Sequence, residues 1–210
     1  RDDSRGNAPR RAAQIAILDG GGFDSTATNL GPRLQRFPAL DLSVVEPMRT
    51  VSALQALSAE LQRRLKDATH ASTAPPVFVV IYNLARFREL RRTDDDYGLG
   101  SFSEGDGGSP AQQLIQLLRE GPHARMHLII WCDTYNNLTR WFERSTLRDL
   151  AYRVLFQMSA TDSSNLMDSA AASQLGAHRA ILHDDERGES ERFRPYGLPE
   201  LADLVGEAAE

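Results

Sequence analysis

The sequence Val-Phe-Val-Val-Ile-Tyr-Asn occupies residues 77–83 and is the most informative segment for the fold. Its first five residues are apolar and mostly β-branched, and β-branched side chains favour strands. The run shows no alternation of apolar and polar positions, which is typical of a strand covered on both faces. Residues 77–81 are therefore predicted to form a central strand of a buried sheet.

Outward from this segment, further strands alternate with helices along the chain. Apolar runs predict strands at residues 15–18, 42–45, 127–132, 153–158 and 179–183. Periodic leucines and a Ser-Pro-Ala-Gln capping box predict helices at residues 47–67, 109–121, 145–152 and 164–175. This alternation predicts an α/β fold, with a mainly parallel sheet between helical layers on both sides (three-layer α/β/α). Ligands of such folds gather at the carboxyl ends of the strands.

The length and charge of the chain restrict its organisation and partners. It has 210 residues and a formal net charge of -5, from 24 Lys and Arg against 29 Asp and Glu. This length suits one sizeable core, so one domain is predicted over residues 14–200. Residues 1–13 are predicted to be a flexible lead-in, residues 94–109 a mobile glycine-rich loop and residues 201–210 a tail. The acidic balance excludes a self-sufficient, non-specific DNA binder.

The cysteine content and the hydropathy of the chain indicate its cellular compartment. Cys132 is the single cysteine, which excludes an internal disulfide, and no Cys/His cluster has the spacing of a zinc site. No apolar run reaches the roughly 18 residues that a membrane span needs, so no membrane contact is expected. These features predict a cytoplasmic protein. The chain begins without Met, which suggests a piece of a longer polypeptide with upstream domains.

The stretch Gly-Gly-Gly-Phe-Asp-Ser-Thr at residues 20–26 follows a predicted strand and looks like a phosphate-binding loop. A P-loop needs Lys immediately before its Ser or Thr, to meet the β- and γ-phosphates. Asp24 stands there instead and would repel a phosphate. The alternative is a tight turn after the strand, with Asp19 capping or orienting it.

The end of the 77–81 strand has the shape of a Walker B segment, in which an apolar strand leads to a polar pair. A working Walker B segment ends in Asp, which holds the metal, usually followed by Glu, which polarises the attacking water. Tyr82 and Asn83 supply no carboxylate, although Asn83 could bind a water or a phosphate. The other interpretation is a central strand with no catalytic role.

Asp133 ends the next predicted strand with a carboxylate. It could act as an acid, a base or a metal ligand, or it could begin a turn, and Asp is common in turns. Cys132 has no recognisable partner that would lower its pKa, so a core position is expected for it, as for Trp131. The five histidines show no His-Glu-x-x-His pattern, and metal catalysis is not indicated.

Several segments together resemble the motor domain of the FtsK/SpoIIIE family of P-loop ATPases. Residues 15–22 resemble the strand that follows the family's P-loop helix, residues 77–83 its Walker B strand, and residues 127–135 its His-Leu-Ile-Leu-Ala-Thr-Gln-Arg-Pro segment. The most specific match is to residues 153–168. In that segment the residues that agree in register are Phe156, Gln157, Ser159, Asp162, Ser163, Leu166, Met167 and Asp168.

This resemblance implies a RecA-like P-loop NTPase fold that lacks its N-terminal P-loop unit. It also implies ATP and Mg²⁺ as ligands, double-stranded DNA as a partner, and assembly into a homo-oligomeric ring. The chain departs from the family because it contains no Walker A segment, because Tyr82 and Asn83 replace Asp-Glu, and because residues 132–135 replace Thr-Gln-Arg-Pro.

The resemblance also assigns candidate roles. The candidate catalytic residues are Asn83, Asp133 in a metal or water role, and Arg153 approaching a neighbour's nucleotide. The candidate nucleotide contacts are Asp19, Tyr82 and Thr134. The expected function is the C-terminal module of a DNA-translocating ATPase that cannot hydrolyse ATP as an isolated fragment. The alternative is a catalytically silent scaffold or partner-docking module, for example in a type VII secretion-like system.

Overall fold

The structure of this chain is a computed structural model that describes residues 13–21, 41–92 and 108–196. The predicted lead-in, loop and tail lie almost entirely outside these residues. The chain divides into two compact units, Arg1–Trp141 and Phe142–Glu210. The single domain expected over residues 14–200 stays a prediction. No helix among the described residues is long and apolar enough to cross a membrane.

The first unit is built on a four-stranded parallel sheet. Its strands are β1 (Gln14–Asp19), β2 (Asp41–Val45), β3 (Val77–Tyr82) and β4 (Met126–Ile130). Their order is β2-β1-β3-β4, and every neighbouring pair is parallel. The α/β fold and mainly parallel sheet predicted from the sequence are confirmed in this unit.

Strand β3 lies inside the sheet, between β1 and β4. Val77, Val79 and Ile81 are buried on one face, whereas Phe78 and Val80 on the other face are half-buried. A strand hydrogen-bonded on both edges and apolar on both faces matches the continuous hydrophobic run from which it was predicted.

Helices α1 (Thr50–Lys66), α2 (Ala68–Thr73), α3 (Pro110–Glu120) and α4 (Tyr135–Leu138) complete the first unit. Helix α3 packs against α1 and β4. It begins with the predicted capping box, in which Ser109 accepts a hydrogen bond from the backbone N–H of Gln112 and Gln112 accepts one from the backbone N–H of Ser109. It ends at Glu120, in agreement with the predicted stop at Gly121.

Arg64 of α1 departs from the amphipathic pattern of that helix, in which charged residues face the solvent. Arg64 is buried, although arginine side chains are mostly exposed in folded proteins. Its guanidinium donates to the Glu60 carboxylate at 2.6 Å and to the Ala124 carbonyl at 3.2 Å, which satisfies the buried charge. Burial acts to raise the pKa of Glu60, but the hydrogen bonds and charges of Arg64 and Arg63 outweigh it and lower that pKa.

The second unit contains an antiparallel sheet. Its elements are α5 (Arg144–Leu147), β5 (Tyr152–Leu155), α6 (Ala160–Met167), β6 (Ala180–Asp184) and β7 (Glu189–Phe193). The strand order is β5-β6-β7. A separate core lies beneath this sheet, made of Leu155, Met167, Ala172, Leu175 and Ile181.

The prediction that residues 153–158 and 179–183 extend the parallel sheet is therefore corrected. They form β5 and β6 of the antiparallel sheet. The deciding element is the β6–β7 hairpin, whose turn is held by Asp184 accepting from the N–H groups of Glu186 and Arg187 and by Gly188 at φ +66°. Strand β7 is exposed along its whole length and has no apolar run to mark it in the sequence.

We predict that Ser109→Ala lowers the free energy of unfolding of the first unit by about 1 kcal/mol, because the capping bond to the Gln112 N–H is lost. Urea unfolding followed by tryptophan fluorescence measures this, since both tryptophans, Trp131 and Trp141, belong to this unit. Ser52→Ala is the control, because Ser52 is exposed and its hydroxyl donates back to the Arg49 carbonyl instead of accepting from a backbone N–H. Equal unfolding midpoints for the two variants would contradict the capping role.

Candidate functional site

The carboxyl ends of β1, β3 and β4 lie side by side at one edge of the parallel sheet. Asp19 is the register partner of Tyr82. The backbone N–H of Trp131 donates to the Ile81 carbonyl at 2.9 Å, and the Trp131 carbonyl accepts from the backbone N–H of Leu84 at 3.1 Å. These two bonds continue the β3–β4 pairing beyond the strands. We call Asp19, Tyr82, Asn83 and Trp131 the strand-end row.

The turn after β1 is fixed by the strand beside it. Gly20 donates its N–H to the Tyr82 carbonyl at 2.9 Å. A Cβ at position 20 would lie 2.8 Å from the carbonyl oxygens of both Tyr82 and Asn83, so only glycine fits without moving β3. The glycine is thus explained by a close backbone approach, in agreement with the tight-turn interpretation. Residues 22–26 of the motif lie outside the described part of the chain.

Asp19 holds this turn with one oxygen of its carboxylate. Oδ1 accepts from the Gly21 N–H at 2.9 Å, which is the capping role predicted from the sequence. Oδ2 is buried and has no hydrogen-bond partner among the described residues. A buried carboxylate oxygen without a donor is unfavourable, and in native proteins such groups mark either strain or a missing partner.

Tyr82 and Asn83 occupy the Walker B position, and both have structural contacts. The Tyr82 ring stacks on the Trp131 indole with the centroids 5.0 Å apart. Asn83 has left-handed backbone angles (φ 62°) and donates its side-chain N–H to the Gly20 carbonyl at 3.3 Å. Asn tolerates this conformation better than most residues. The pair therefore joins β3 to the turn after β1.

Trp131 was expected in the core and is instead 43% exposed. It directly follows β4 on the same face as His127 and Ile129, and Ile129 is 52% exposed. The apolar run over residues 128–131 hid this difference between faces, because His127 at its start is the one polar residue on the accessible side and Ile129 and Trp131 after it are apolar. Sequence analysis therefore missed the stacked Tyr82–Trp131 pair as a feature of the site.

Asp133 and Thr134 form the turn after β4. Thr134 caps α4 by accepting from the Asn137 N–H at 3.1 Å. Both oxygens of the Asp133 carboxylate accept from the Asn137 side-chain amide, at 2.8 and 3.1 Å. This bond from Asn137 lowers the pKa of Asp133, so the side chain is an ionised turn acceptor. Burial raises the pKa of the neighbouring Cys132 thiol, which disfavours a nucleophilic role.

Arg153 lies in the second unit, where both terminal nitrogens of its guanidinium bond to groups of the same unit and its buried Nε has no partner among the described residues. It donates to the carbonyls of Leu147 and Leu166 at 2.8 and 2.6 Å and to the Asp185 carboxylate at 2.6 Å. Its side chain is 11% exposed. Reaching a neighbour's nucleotide would require these bonds to break, so the geometry points to a structural role for Arg153.

The side chains that the structure describes do not by themselves form a site that fits Mg²⁺ and a nucleoside triphosphate. The sequence contains one lysine, Lys66, at the end of α1 and remote in sequence from any glycine-rich turn. Within residues 13–21, 41–92 and 108–196, no group of three or more His, Cys, Asp or Glu side chains is placed to hold a metal ion. The orphaned Asp19 oxygen is the one feature of the strand-end row that suits a water or cation.

Comparison with solved structures identifies the fold. The conjugation coupling protein TcpA of pCW3, solved as a monomer with ATPγS, superposes with a TM-score of 0.63 at 14% identity, over 95% of this chain and 58% of that one. This is the fold of a P-loop ATPase domain. The genome packaging NTPase B204 of Sulfolobus turreted icosahedral virus 2 matches with a TM-score of 0.56 at 10% identity, over 88% of this chain and 84% of B204.

A third structure with this fold contains ATPases 2 and 3 of EssC from Geobacillus thermodenitrificans, with a TM-score of 0.56 and 13% identity. The match covers 93% of this chain and 36% of the EssC chain. No family model and no curated protein matches the sequence. At these identities the likeness establishes the fold, so the family resemblance seen in the sequence is confirmed at that level.

We predict that Asp19→Asn unfolds at the same or a higher urea concentration than the unsubstituted chain. Asn retains an acceptor for the Gly21 N–H but removes the buried, unpartnered negative charge. Asp19→Ala is the matched comparison and should lose about 1 kcal/mol with the acceptor. Tryptophan fluorescence in urea measures both. Equal destabilisation by Asn and Ala would show that the charge itself stabilises the turn.

Proposed function

We propose that this chain is the downstream part of an FtsK/SpoIIIE-like ATPase or DNA-translocase module, and that the isolated 210-residue chain does not hydrolyse ATP. The observation that carries the proposal is the strand-end row. It brings the Walker B position on β3 beside the carboxylate of Asp19 on β1, at the sheet edge where α/β folds bind ligands.

The chemistry of phosphoryl transfer explains why we propose that the isolated chain does not hydrolyse ATP. Catalysis depends on cations that neutralise charge on the transferred phosphate and on a carboxylate-held metal. Here the position before Ser25 is Asp24, the position of the Walker B acid is Tyr82, and the amide of Asn83 is bonded to the Gly20 carbonyl. None of these groups replaces the missing lysine or the missing metal ligand.

The position of β4 at the edge of the described sheet supports β4 as the strand to which a nucleotide-binding segment is added. Among the described strands β4 pairs only with β3, so β4 is an edge strand of the described sheet. The side chains of Ile129 and Trp131 beside that edge are exposed. Exposed edges of this kind accept a further strand, and upstream domains of the same polypeptide are the proposed source.

The nucleotide analogues bound in two similar structures support a nucleotide-linked origin. TcpA was solved with ATPγS and B204 with AMPPCP, and B204 is described as packaging a genome. We propose by analogy that the complete module binds ATP with Mg²⁺, acts on double-stranded DNA, assembles as a homo-oligomeric ring and works in the cytoplasm.

A second candidate function is a catalytically silent scaffold that retains the fold for assembly or partner docking. The structural uses of Asn83 and Arg153 favour it, because both candidate catalytic side chains are occupied by hydrogen bonds inside their own units. Calorimetry with ATP on a longer version of the polypeptide separates the two candidates. Binding through an upstream Gly-x-x-x-x-Gly-Lys-Ser/Thr segment favours the motor, and its absence favours the scaffold.

We predict that the isolated chain shows no ATP turnover above background, because both phosphate-handling signatures are missing or replaced. A coupled phosphate-release assay with Mg²⁺ and ATP measures this. Asp133→Ala and Met48→Ala are the paired variants, since Met48 is 97% exposed and far in sequence from the strand-end row. Turnover that is lost with Asp133→Ala but kept with Met48→Ala would overturn the proposed inactivity.

We also predict weak binding of duplex DNA by the isolated chain at physiological salt, because its net charge of -5 repels phosphate. Fluorescence anisotropy with a labelled duplex, repeated over a series of salt concentrations, measures the affinity and its electrostatic part. A submicromolar affinity that persists as salt rises would contradict this prediction.

A further inference from the structure

A row of polar side chains lies on the core side of the antiparallel sheet of the second unit. Arg153 of β5, His183 of β6 and Ser190 of β7 are register partners across the three strands. Ile181, two residues before His183 on β6, belongs to the core. Because side chains alternate along a strand, Asp185, two residues after His183, falls on the same side. The sheet therefore brings a serine, a histidine and an aspartate together.

The contacts between these side chains join them in one chain. Nδ1 of His183 lies 2.9 Å from the hydroxyl oxygen of Ser190. On the other side of the ring, Nε2 lies 3.5 Å from Oδ1 of Asp185. This second distance is longer than an ordinary hydrogen bond, as is common in unliganded catalytic sites, where such contacts shorten when the substrate binds. The arrangement is that of a nucleophile, its general base and the group that orients the base.

Asp185 is held in place by two further bonds. Its backbone N–H donates to the Ala151 carbonyl at 2.9 Å, and its Oδ1 accepts from the Arg153 guanidinium at 2.6 Å. A carboxylate fixed beside Nε2 of His183 favours the neutral tautomer that carries its proton on Nε2. The lone pair of Nδ1 is then directed at the Ser190 hydroxyl and can accept its proton. Arg153 thus acts as a positioning residue for Asp185.

Burial shields the base from solvent and leaves the nucleophile accessible. His183 is 7% exposed, whereas Ser190 belongs to β7, which is exposed along its whole length. A substrate that approaches β7 from solvent therefore meets the serine first, with the imidazole behind it. Arg192 lies two residues further along β7 on the same face. Its cation can stabilise the negative charge that develops on a carbonyl oxygen when Ser190 attacks the carbonyl carbon.

We propose that Ser190, His183 and Asp185 form a nucleophilic site that hydrolyses small acyl esters. The Ser190 oxygen attacks the ester carbonyl carbon while its proton passes to Nδ1 of His183. The bond from that carbon to the alcohol oxygen then breaks, and His183 returns the proton to the departing alcohol, which leaves the acyl group on Ser190. Water, deprotonated by His183, attacks the acyl carbon, and the proton returns to the Ser190 oxygen as the carboxylic acid is released.

The position of the serine indicates which esters suit the site. An exposed strand provides little surface to enclose an acyl chain, which favours short acyl groups with good leaving groups. The proposal does not rest on the proposed ATPase origin, because all of its residues lie in the second unit, away from the strand-end row in the sequence.

A fluorophosphonate probe tests the nucleophile on the 210-residue chain. The Ser190 oxygen should bond to phosphorus as fluoride leaves and the proton passes to His183, and mass spectrometry of the digested protein should find the probe on Ser190. Ser190→Ala should abolish this label. His183→Gln should slow labelling at least about a hundredfold, as expected for the loss of a general base. Ser164→Ala is the matched control, since Ser164 is an exposed serine of α6 in the same unit, and it should leave labelling unchanged.

Hydrolysis of p-nitrophenyl acetate tests the complete reaction. The unsubstituted chain should release p-nitrophenol with repeated turnover, and Ser190→Ala should lose this release. Because Ser190 is exposed, its replacement leaves the core intact, and circular dichroism of each variant checks that the fold is retained. Arg192→Gln should slow the release at least about tenfold through the loss of its cation.

Asp185→Asn tests the orienting role of the carboxylate. Nitrogen NMR of the His183 ring should place the proton of the neutral ring on Nε2 in the unsubstituted chain, and this preference should be lost in the variant as labelling slows. Three results would overturn the proposal: no probe on Ser190, labelling that His183→Gln leaves unchanged, or ester hydrolysis that Ser190→Ala leaves unchanged.

Discussion

The hydrogen bond from the Gly20 N–H to the Tyr82 carbonyl fixes the end of the β1–β3 pairing. It allows the backbone after β1 to turn against β3 at a distance that no Cβ would permit. The same contact sets Asp19 beside Tyr82 and gives the Asn83 amide its acceptor. The chemistry available at this edge of the sheet therefore follows from one backbone approach, made possible by a glycine.

The first unit could be predicted from the sequence because its physical signals are local. The apolar run over β3, the periodic leucines of α1 and the capping box at Ser109 each specify one element, and each element formed as expected. Alternation of strands and helices then leaves few arrangements other than a parallel sheet. Arg64 was the exception, since its burial depends on the Ala124 carbonyl, which lies far away in the sequence.

The second unit was harder to predict because its sheet depends on β7, a strand without a hydrophobic pattern. Pairing with β7 turns β6 into the middle of an antiparallel sheet, and nothing in residues 179–183 alone reveals that direction. The candidate site was predictable only in part for a related reason. The sequence placed polar residues at the strand ends, but the bonds that occupy Asn83, Asp133 and Arg153 come from partners in other elements or in a following turn.

The left-handed backbone at Asn83 decides which substitutions the position accepts. Asp is the other residue with a short polar side chain that adopts this conformation readily, so an Asn-to-Asp exchange needs no remodelling of the chain there. Such an exchange would forfeit one amide donor to the Gly20 carbonyl. A single exchange at this position would therefore place an acidic group at the tip of the central strand with the backbone unchanged.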